Sequence, residues 1–156
     1  MECDSCDKAA VFSSSYAACK EHFIEQFEKK AAAAIERFQL LDKKENIAVA
    51  ASGGKDSTTL LYLLQKSGYN VTAIAVDEGI EPYRSSTLRD LQRFCSSHGT
   101  PLQLHSYKES FGFTLDEGLR ALNISSCKAC GILRRYLLNR AARDFDKLAT
   151  GHNLDD

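Results

Sequence analysis

The sequence has 156 residues, of which 26% are charged, and a formal net charge of -1 at pH 7. This length suits one ordinary domain with a small appendage, and it is enough to bury a core. The near-zero net charge excludes a global basic field, so contact with a nucleic acid would depend on local patches. Without a bilayer-length apolar run or a secretory signal pattern, the protein is expected to be soluble and cytoplasmic.

The first cysteines in the chain are spaced as metal ligands. Cys3-x-x-Cys6 is followed, after a loop, by Cys19-x-x-His22. Two close pairs of such ligands suit a closed tetrahedral zinc site. A segment this short cannot bury enough apolar surface to stay folded unaided, so metal binding would stabilise it. We predict a structural zinc knuckle over residues 1–24; the alternative is a set of scattered thiols near a frayed terminus.

The residues after the knuckle predict a helix over positions 21–41. Alanines favour the helix, and lysines and glutamates predict a solvated face. An intermittent apolar stripe runs along it, formed by Phe23, Phe27, Ile35 and Phe38. We assign residues 25–45 to a linker helix and residues 46–156 to the main domain.

Residues 46–61 read NIAVAASGGKDSTTLL, which predicts a strand, a glycine turn and a helix. Gly53 and Gly54 allow the backbone to take positive φ and to approach a ligand closely. The following helix points its N–H groups and its positive dipole end at the turn, so we expect a phosphate there. We call residues 52–57 the glycine loop.

Side chains of the glycine loop add to the expected phosphate site. Lys55 supplies a mobile positive charge, Ser52 and Ser57 supply hydroxyl donors, and Asp56 suits a bridging cation. The loop is not a Walker A motif, because Val49 stands where its first glycine would be, and no Gly-x-Gly-x-x-Gly is present.

A second apolar run at residues 71–76 follows the loop helix, which ends at Ser67-Gly68. This strand–helix–strand pattern predicts a parallel sheet with a right-handed crossover. Ligands of such sheets lie beyond the carboxyl ends of the strands, which places the turn after Val76 beside the glycine loop. Asp77 in that turn either contacts a nucleotide or its metal, or serves only the turn. Further helices are predicted over 85–98 and 114–122, and further strands over 101–107 and 148–150.

Cys127-x-x-Cys130 stands at the head of a helix predicted over residues 126–145, where the helix dipole favours thiolates. Two thiolates cannot complete a zinc or iron–sulfur site by themselves. They suit a cluster with one more thiolate, a redox or persulfide-carrying pair, or a structural half-site. The helix also carries arginines that either are solvated or hold phosphates: Arg134, Arg135, Arg140 and Arg143.

Three motifs in this order, with the N-terminal knuckle, resemble the tRNA 2-thiouridine synthetase family of PP-loop ATP pyrophosphatases. They are the glycine loop, Cys127-x-x-Cys130-Gly131 with Arg134-Arg135, and the segment TGHNLDD at residues 150–156. The resemblance implies an α/β fold, with a Rossmann-like parallel sheet of the adenine nucleotide alpha hydrolase type and a small zinc knuckle. It also implies that ATP adenylates C2 of a tRNA uridine and that sulfur then displaces AMP.

The resemblance carries site residues with it. It implies an ATP site with Mg²⁺ formed by Ala51, Ser52, Gly53, Gly54, Lys55, Asp56, Ser57, Val76, Gly79, Gly151 and Asp156. It implies catalytic roles for Asp56, Cys127, Cys130, Arg134 and Asp156; Arg134 falls where some members have Lys. Metal ligands follow as Cys3, Cys6, Cys19 and His22 for zinc, and Cys127 and Cys130 for a 4Fe-4S cluster held by three cysteines.

In that family the third cluster cysteine and the last strands lie beyond position 156, so we expect an N-terminal portion of a longer enzyme. By itself this portion would be inactive, because it would not hold an intact three-cysteine cluster unless a partner chain supplies the ligand. The implied partners are tRNA, a sulfur-carrier protein or inorganic sulfide, and a second copy of the chain; no membrane is involved. Two alternatives remain. One is a non-catalytic zinc-knuckle RNA-binding or scaffold subunit. The other is a lysidine-forming or amidating PP-loop pyrophosphatase, which has no need for Cys127 and Cys130.

Overall fold

The computed structural model describes residues 1–80, 82–121 and 126–152, and the side chains of all of these except 119–121 and 126–127. Two compact units divide the chain, the first over Met1–Asp42 and the second over Lys43–Asp156. No described helix has both the length and the apolar composition needed to cross a bilayer.

The first unit consists of two short hairpins and one long helix. Strands β1 (Glu2–Cys3) and β2 (Cys6–Ala9) pair antiparallel, and so do β3 (Phe12–Ser13) and β4 (Ala17–Ala18). Helix α1 (Lys20–Arg37) has no buried residue. Apart from the buried Cys3, Ala17, Ala18 and Cys19, the unit therefore has little apolar core, as expected of a segment that needs another source of stability.

The second unit is a four-stranded parallel sheet in the order β7-β6-β5-β8. The central strand is buried on both faces, with Ile47, Ala48 and Val49 all 0% exposed, which explains its continuous apolar run. The strands are β5 (Asn46–Ala50), β6 (Asn70–Asp77), β7 (Leu102–Ser106) and β8 (Lys147–Thr150). Their carboxyl ends share one edge, and this confirms the parallel α/β fold.

Helices α2 to α6 connect these strands or flank them. They are α2 (Lys55–Lys66), α3 (Tyr83–His98), α4 (Tyr107–Phe111), α5 (Leu115–Ala121) and α6 (Ser126–Ala141). α5 begins with a capping box, because Thr114 and Glu117 each bond the other's backbone N–H. α3 ends at His98, and its C-cap, Gly99, takes the left-handed conformation.

Three predicted elements are corrected at their ends. The helix predicted over 21–41 ends at Arg37, and Gln39 takes a φ of 50°. The helix predicted over 126–145 ends at Ala141, so Arg143 lies past it; the chain must turn there because Asp146 N already bonds Asn46 O to start β8. The strand predicted over 101–107 stops at Ser106, whose hydroxyl accepts a hydrogen bond from Glu109 N and begins α4.

Candidate active site

A cavity of about 490 Å³ opens at the carboxyl edge of the sheet in the second unit. Its lining comes from the glycine loop, the ends of β5, β6 and β8, and the middle of α6. The charged and polar side chains that line it include Ser52, Asp56, Ser57, Arg84, Arg134 and Arg135, together with Asn139 and His152. A strand-end cavity of this kind, lined by three arginines and a helix N-terminus, suits a ligand that carries phosphates.

Ser57 holds the glycine loop in shape. Its side chain is buried; its hydroxyl donates to Gly54 O at 3.1 Å and accepts from Ser52 N at 3.1 Å. The Ser52 hydroxyl lies 3.1 Å from the Ser57 hydroxyl oxygen and accepts a hydrogen bond from Gly54 N at 3.2 Å. These bonds keep the loop open above the first turn of α2, whose N-cap, Gly54, has no side chain to occupy the helix end.

Two positions of the site require glycine, because a Cβ atom there would lie too close to neighbouring backbone atoms. Gly53 has a φ of 84°, and a Cβ at this position would lie 2.6 Å from Thr87 O. Gly151 follows β8, and a Cβ there would lie 2.8 Å from Ser57 N. The backbone at Gly151 therefore packs directly on the first turn of α2, which brings this glycine of the third sequence motif against the end of the glycine loop.

Cys130 lies at the same end of the sheet as the glycine loop. It is buried in a cluster with Val76, at the end of β6, and with Tyr107, whose hydroxyl donates to Cys130 O at 2.9 Å. Burial and the neighbouring Cys130 sulfur raise the pKa of Tyr107. Cys127 lies one turn earlier on α6, and its side chain is outside the described residues.

Arg134 connects Cys130 to the cavity. It lines the cavity, and its Nη2 donates to Cys130 Sγ at 3.1 Å. Burial acts to lower the pKa of this guanidinium, but the nearby Glu78 carboxylate and the Cys130 sulfur outweigh burial and raise it. Arg134 therefore stays charged beside the Cys130 sulfur.

The first unit contains a separate cluster of metal-ligating groups. One ligand atom from each of Cys3, Cys6, Cys19 and His22 lies within 4.8 Å of the others. Cys3 Sγ is 3.2 Å from His22 Nδ1, and Cys6 Sγ is 3.8 Å from Cys19 Sγ. A hydrogen bond from Cys19 N is the main cause that lowers the pKa of Cys3 to about 6. Free thiols packed this closely beside an imidazole fit one shared metal ion.

Comparison with known proteins decides the family. The PP-loop domain family matches residues 23–156. The chain belongs to this family.

Relatives of this PP-loop domain carry names from tRNA thiolation. The chain is 40% identical to the tRNA-5-methyluridine(54) 2-sulfurtransferase of Pyrococcus horikoshii, over 100% of this chain and 51% of the relative. It is 38% identical to cytoplasmic tRNA 2-thiolation protein 1 of Arabidopsis thaliana, over 88% of this chain and 41% of the relative. The chain thus spans about half the length of the curated relatives it matches.

Solved structures agree with the fold. The U34-tRNA thiolase NcsA of Methanococcus maripaludis, solved with its 4Fe-4S cluster, matches with a TM-score of 0.87 at 34% identity, over 100% of this chain and 54% of that chain. The NH3-dependent NAD synthetase of Campylobacter jejuni matches with a TM-score of 0.62 at 17% identity, over 83% of this chain and 56% of that chain, and shows the fold alone.

The PP-loop domain brings most of the predicted nucleotide residues to one edge. Ala51, Ser52, Gly54, Asp56, Ser57, Val76 and Gly151 line the cavity. Lys55 Nζ forms an ion pair with the Asp56 carboxylate at 2.7 Å, so a lysine of the same loop supplies the positive charge beside this carboxylate. Asp77 accepts from Gly79 N at 2.9 Å, which is the contact of a turn residue. Asp155 and Asp156 lie outside the described residues, and the roles of all these residues stay predictions.

Sequence reasoning missed two buried charges of the site. Glu78 is 3% exposed and Arg84 is 7% exposed, and they pair at 2.8 Å. Both looked like ordinary surface residues, one in a turn and one at the start of an amphipathic helix. The available signal was position, because Glu78 follows a strand whose carboxyl end must face the ligand.

We expect Gly53→Ala to destabilise the PP-loop domain and to weaken nucleotide binding. The alanine would meet both the left-handed penalty, about 1–2 kcal/mol, and the contact with Thr87 O. Gly99→Ala is the matched control, since Gly99 has a φ of 65° but nothing within 4 Å of its Cβ position. Urea unfolding with ATP titration of both variants checks this. Equal effects of the two substitutions would contradict the contact at Gly53.

Proposed function

We propose that this PP-loop domain binds ATP and Mg²⁺ in the cavity and acts in tRNA uridine 2-thiolation. In this reaction C2 of a tRNA uridine is adenylated and its oxygen is then replaced by sulfur. The names of the relatives support the reaction class. The observation that carries the proposal is Arg134, which lines the cavity and donates to Cys130 Sγ at 3.1 Å. A phosphate site and a paired-cysteine motif thus share one side chain.

The chemistry explains why ATP and sulfur belong in one site. A uridine carbonyl oxygen is a poor leaving group, and transfer of AMP to it makes it a good one. The glycine loop N–H groups, Lys55 and Mg²⁺ would stabilise the charge that develops on departing pyrophosphate. We place ATP against Ala51, Val76, Gly79 and Gly151 as well as the loop, with Asp56 toward Mg²⁺ and Asp156 as the catalytic acid.

Cys127 and Cys130 would supply two of the three thiolates of a 4Fe-4S cluster. Their i, i+3 spacing on α6 and the cationic Arg134 beside Cys130 Sγ fit thiolate ligands. When bound, such a cluster supplies an iron that carries the incoming sulfur. Arg134 would hold its positive charge close to both the thiolate and the phosphates. This is the catalytic role that we propose for Arg134.

The remaining assignments complete the proposal. Residues 1–24 would form a knuckle that holds Zn²⁺ through Cys3, Cys6, Cys19 and His22; residues 25–45 would link it to the PP-loop domain over 46–156. The enzyme would work in the cytoplasm as a homodimer. Its partners would be tRNA and either a sulfur-carrier protein or inorganic sulfide. An RNA loop would present its uridine splayed out to the sheet edge, as base-modifying enzymes require.

The test is ATP-dependent thiolation. The chain is reconstituted anaerobically with iron, sulfide and an external thiol, which takes the place of the third cluster cysteine. It is then incubated with unmodified tRNA, ATP, Mg²⁺ and sulfide. Nucleoside mass spectrometry measures 2-thiouridine, and chromatography separates AMP from ADP. We expect 2-thiouridine together with AMP and pyrophosphate.

Cys130→Ser should abolish 2-thiouridine and leave ATP affinity within about fivefold, less than the roughly tenfold that 1.4 kcal/mol represents. Cys95→Ser, which removes a buried thiol of α3, is the control and should keep the product. AMP formation that ignores Cys130 and yields no thiolated base would favour the lysidine-forming or amidating reaction. Bound zinc without any ATP-dependent chemistry would favour the scaffold.

A further inference from the structure

Glu78 is a buried carboxylate held between two arginines. It follows β6 and is 3% exposed. Its Oε2 lies 2.8 Å from Arg84 Nε, and its Oε1 lies 2.7 Å from Arg134 Nε. Each oxygen therefore serves one guanidinium, and both arginines line the cavity.

Arg84 carries this contact to the glycine loop. It is 7% exposed, and its Nη1 donates to Ser52 O at 2.6 Å. Its Nε and Nη2 both donate to Val76 O at the end of β6. The guanidinium thus fastens the start of the glycine loop to the neighbouring strand, and Glu78 fixes the orientation in which it does so.

Arg134 connects Glu78 to Cys130. Its side chain is 46% exposed, and its Nη2 donates to Cys130 Sγ while its Nε faces Glu78. A long side chain at this exposure would otherwise sample several rotamers. With one edge bound to Glu78, the guanidinium is held where it meets both the sulfur and the cavity.

These contacts form one continuous chain from Ser52 through Arg84, Glu78 and Arg134 to Cys130. Two guanidiniums around one carboxylate leave an excess positive charge beside the cavity, which suits an anionic ligand. Removing one partner of a buried ion pair is strongly destabilising, because it leaves the remaining charge uncompensated. The network is therefore expected to hold one geometry rather than several.

We propose that Glu78 is a positioning residue that aligns the phosphate site with Cys130. It does so by orienting Arg84 toward the glycine loop and Arg134 toward the sulfur. In taking the ligand of the cavity to be ATP, this inference rests on the proposed function. Its consequence is that ATP affinity depends on the geometry of the Glu78 carboxylate as well as on its charge.

The decisive experiment compares two substitutions of Glu78 by ATP titration calorimetry. Glu78→Gln removes the charge, whereas Glu78→Asp keeps the charge and withdraws it by one methylene. We expect both to weaken ATP binding by about tenfold or more, the effect of 1.4 kcal/mol. If Glu78 merely reduced the positive charge of the cavity, Glu78→Gln would tighten ATP binding and Glu78→Asp would leave it unchanged. Either result would overturn the proposal.

Asp90→Asn is the matched control, because Asp90 forms an exposed pair with Arg93 on α3. It should leave ATP affinity within about twofold, since exposed pairs contribute little. A double-mutant cycle with Arg134→Gln adds a second criterion. We expect the combined loss of affinity to be smaller than the product of the two single losses by about fivefold, which lies within the usual coupling of contacting residues. Independent effects would contradict the alignment of Arg134 by Glu78.

Hydrogen exchange without nucleotide separates this proposal from the proposed function. Glu78→Asp should speed exchange in two separate segments, residues 50–58 and residues 128–136, while Asp90→Asn changes neither. A chain that never binds ATP would refute the proposed function. This measurement would still test whether Glu78 connects the glycine loop to the segment around Cys130. Faster exchange confined to residues 76–84 would mean that Glu78 supports only its own turn, and would overturn the inference.

Discussion

Cys19→Ser is expected to lower the zinc affinity of the chain by at least about a hundredfold and to unfold the hairpins of the first unit. Loss of an outer-shell partner alone already costs a metal site about 10- to 100-fold, and Cys19 would be a ligand. The unit has no buried residue on α1, so bound metal would be its main source of stability. Metal analysis and hydrogen exchange over residues 1–18 measure the two effects.

Cys95→Ala provides the control for this substitution. Cys95 is buried in α3, where burial raises its pKa and keeps it a neutral core thiol. Its loss should leave about one zinc per chain and slow exchange in the hairpins, although it destabilises the second unit. Protected hairpins in Cys19→Ser after treatment with a chelator would show that the first unit folds without metal, contrary to the zinc assignment.

Sequence reasoning was strongest where one physical requirement determines the residues. Residues 47–51 are all apolar because β5 is buried on both faces, and a nearly continuous apolar run is typical of a buried parallel strand. Gly53 and Gly151 stand where a Cβ would meet backbone atoms. The spacing of Cys3, Cys6, Cys19 and His22 likewise reflects a local turn and the first turn of a helix, which short-range patterns describe well.

Sequence reasoning was weakest where a residue's interaction partner is remote in the chain. Arg134 pairs with Glu78, which lies 56 positions away, and Arg84 reaches Ser52 across 32 positions. No local pattern distinguishes these arginines from the solvated Arg93 on α3. Whether these charged groups are buried depends on how β6, α3 and α6 pack together, which the local sequence does not indicate. The sequence left Asp77 open between a ligand contact and a turn role, and the structure gives it a hydrogen bond from Gly79 N within its own turn.

Ser57→Ala is expected to weaken ATP binding by about tenfold or more while the fold persists. The buried hydroxyl makes three contacts within the glycine loop, with Ser52 N, Ser52 Oγ and Gly54 O. Leaving such partners unsatisfied costs about 1–3 kcal/mol, and 1.4 kcal/mol corresponds to a tenfold change. Calorimetric titration with ATP measures the loss, and urea unfolding shows that the domain remains folded.

The choice of ligand makes this test specific to the phosphates. If the glycine loop holds the β and γ phosphates, Ser57→Ala should weaken ATP and inorganic pyrophosphate alike and leave AMP within about twofold, well under the change that 1.4 kcal/mol produces. Thr59→Ala removes a hydroxyl from the exposed face of the same helix and should change none of the three affinities. An equal loss for AMP and ATP would mean that the loop contacts the nucleoside side of the ligand. The departing pyrophosphate would then need another site, and Arg134 and Arg135, which line the cavity from α6, would be the groups to hold it.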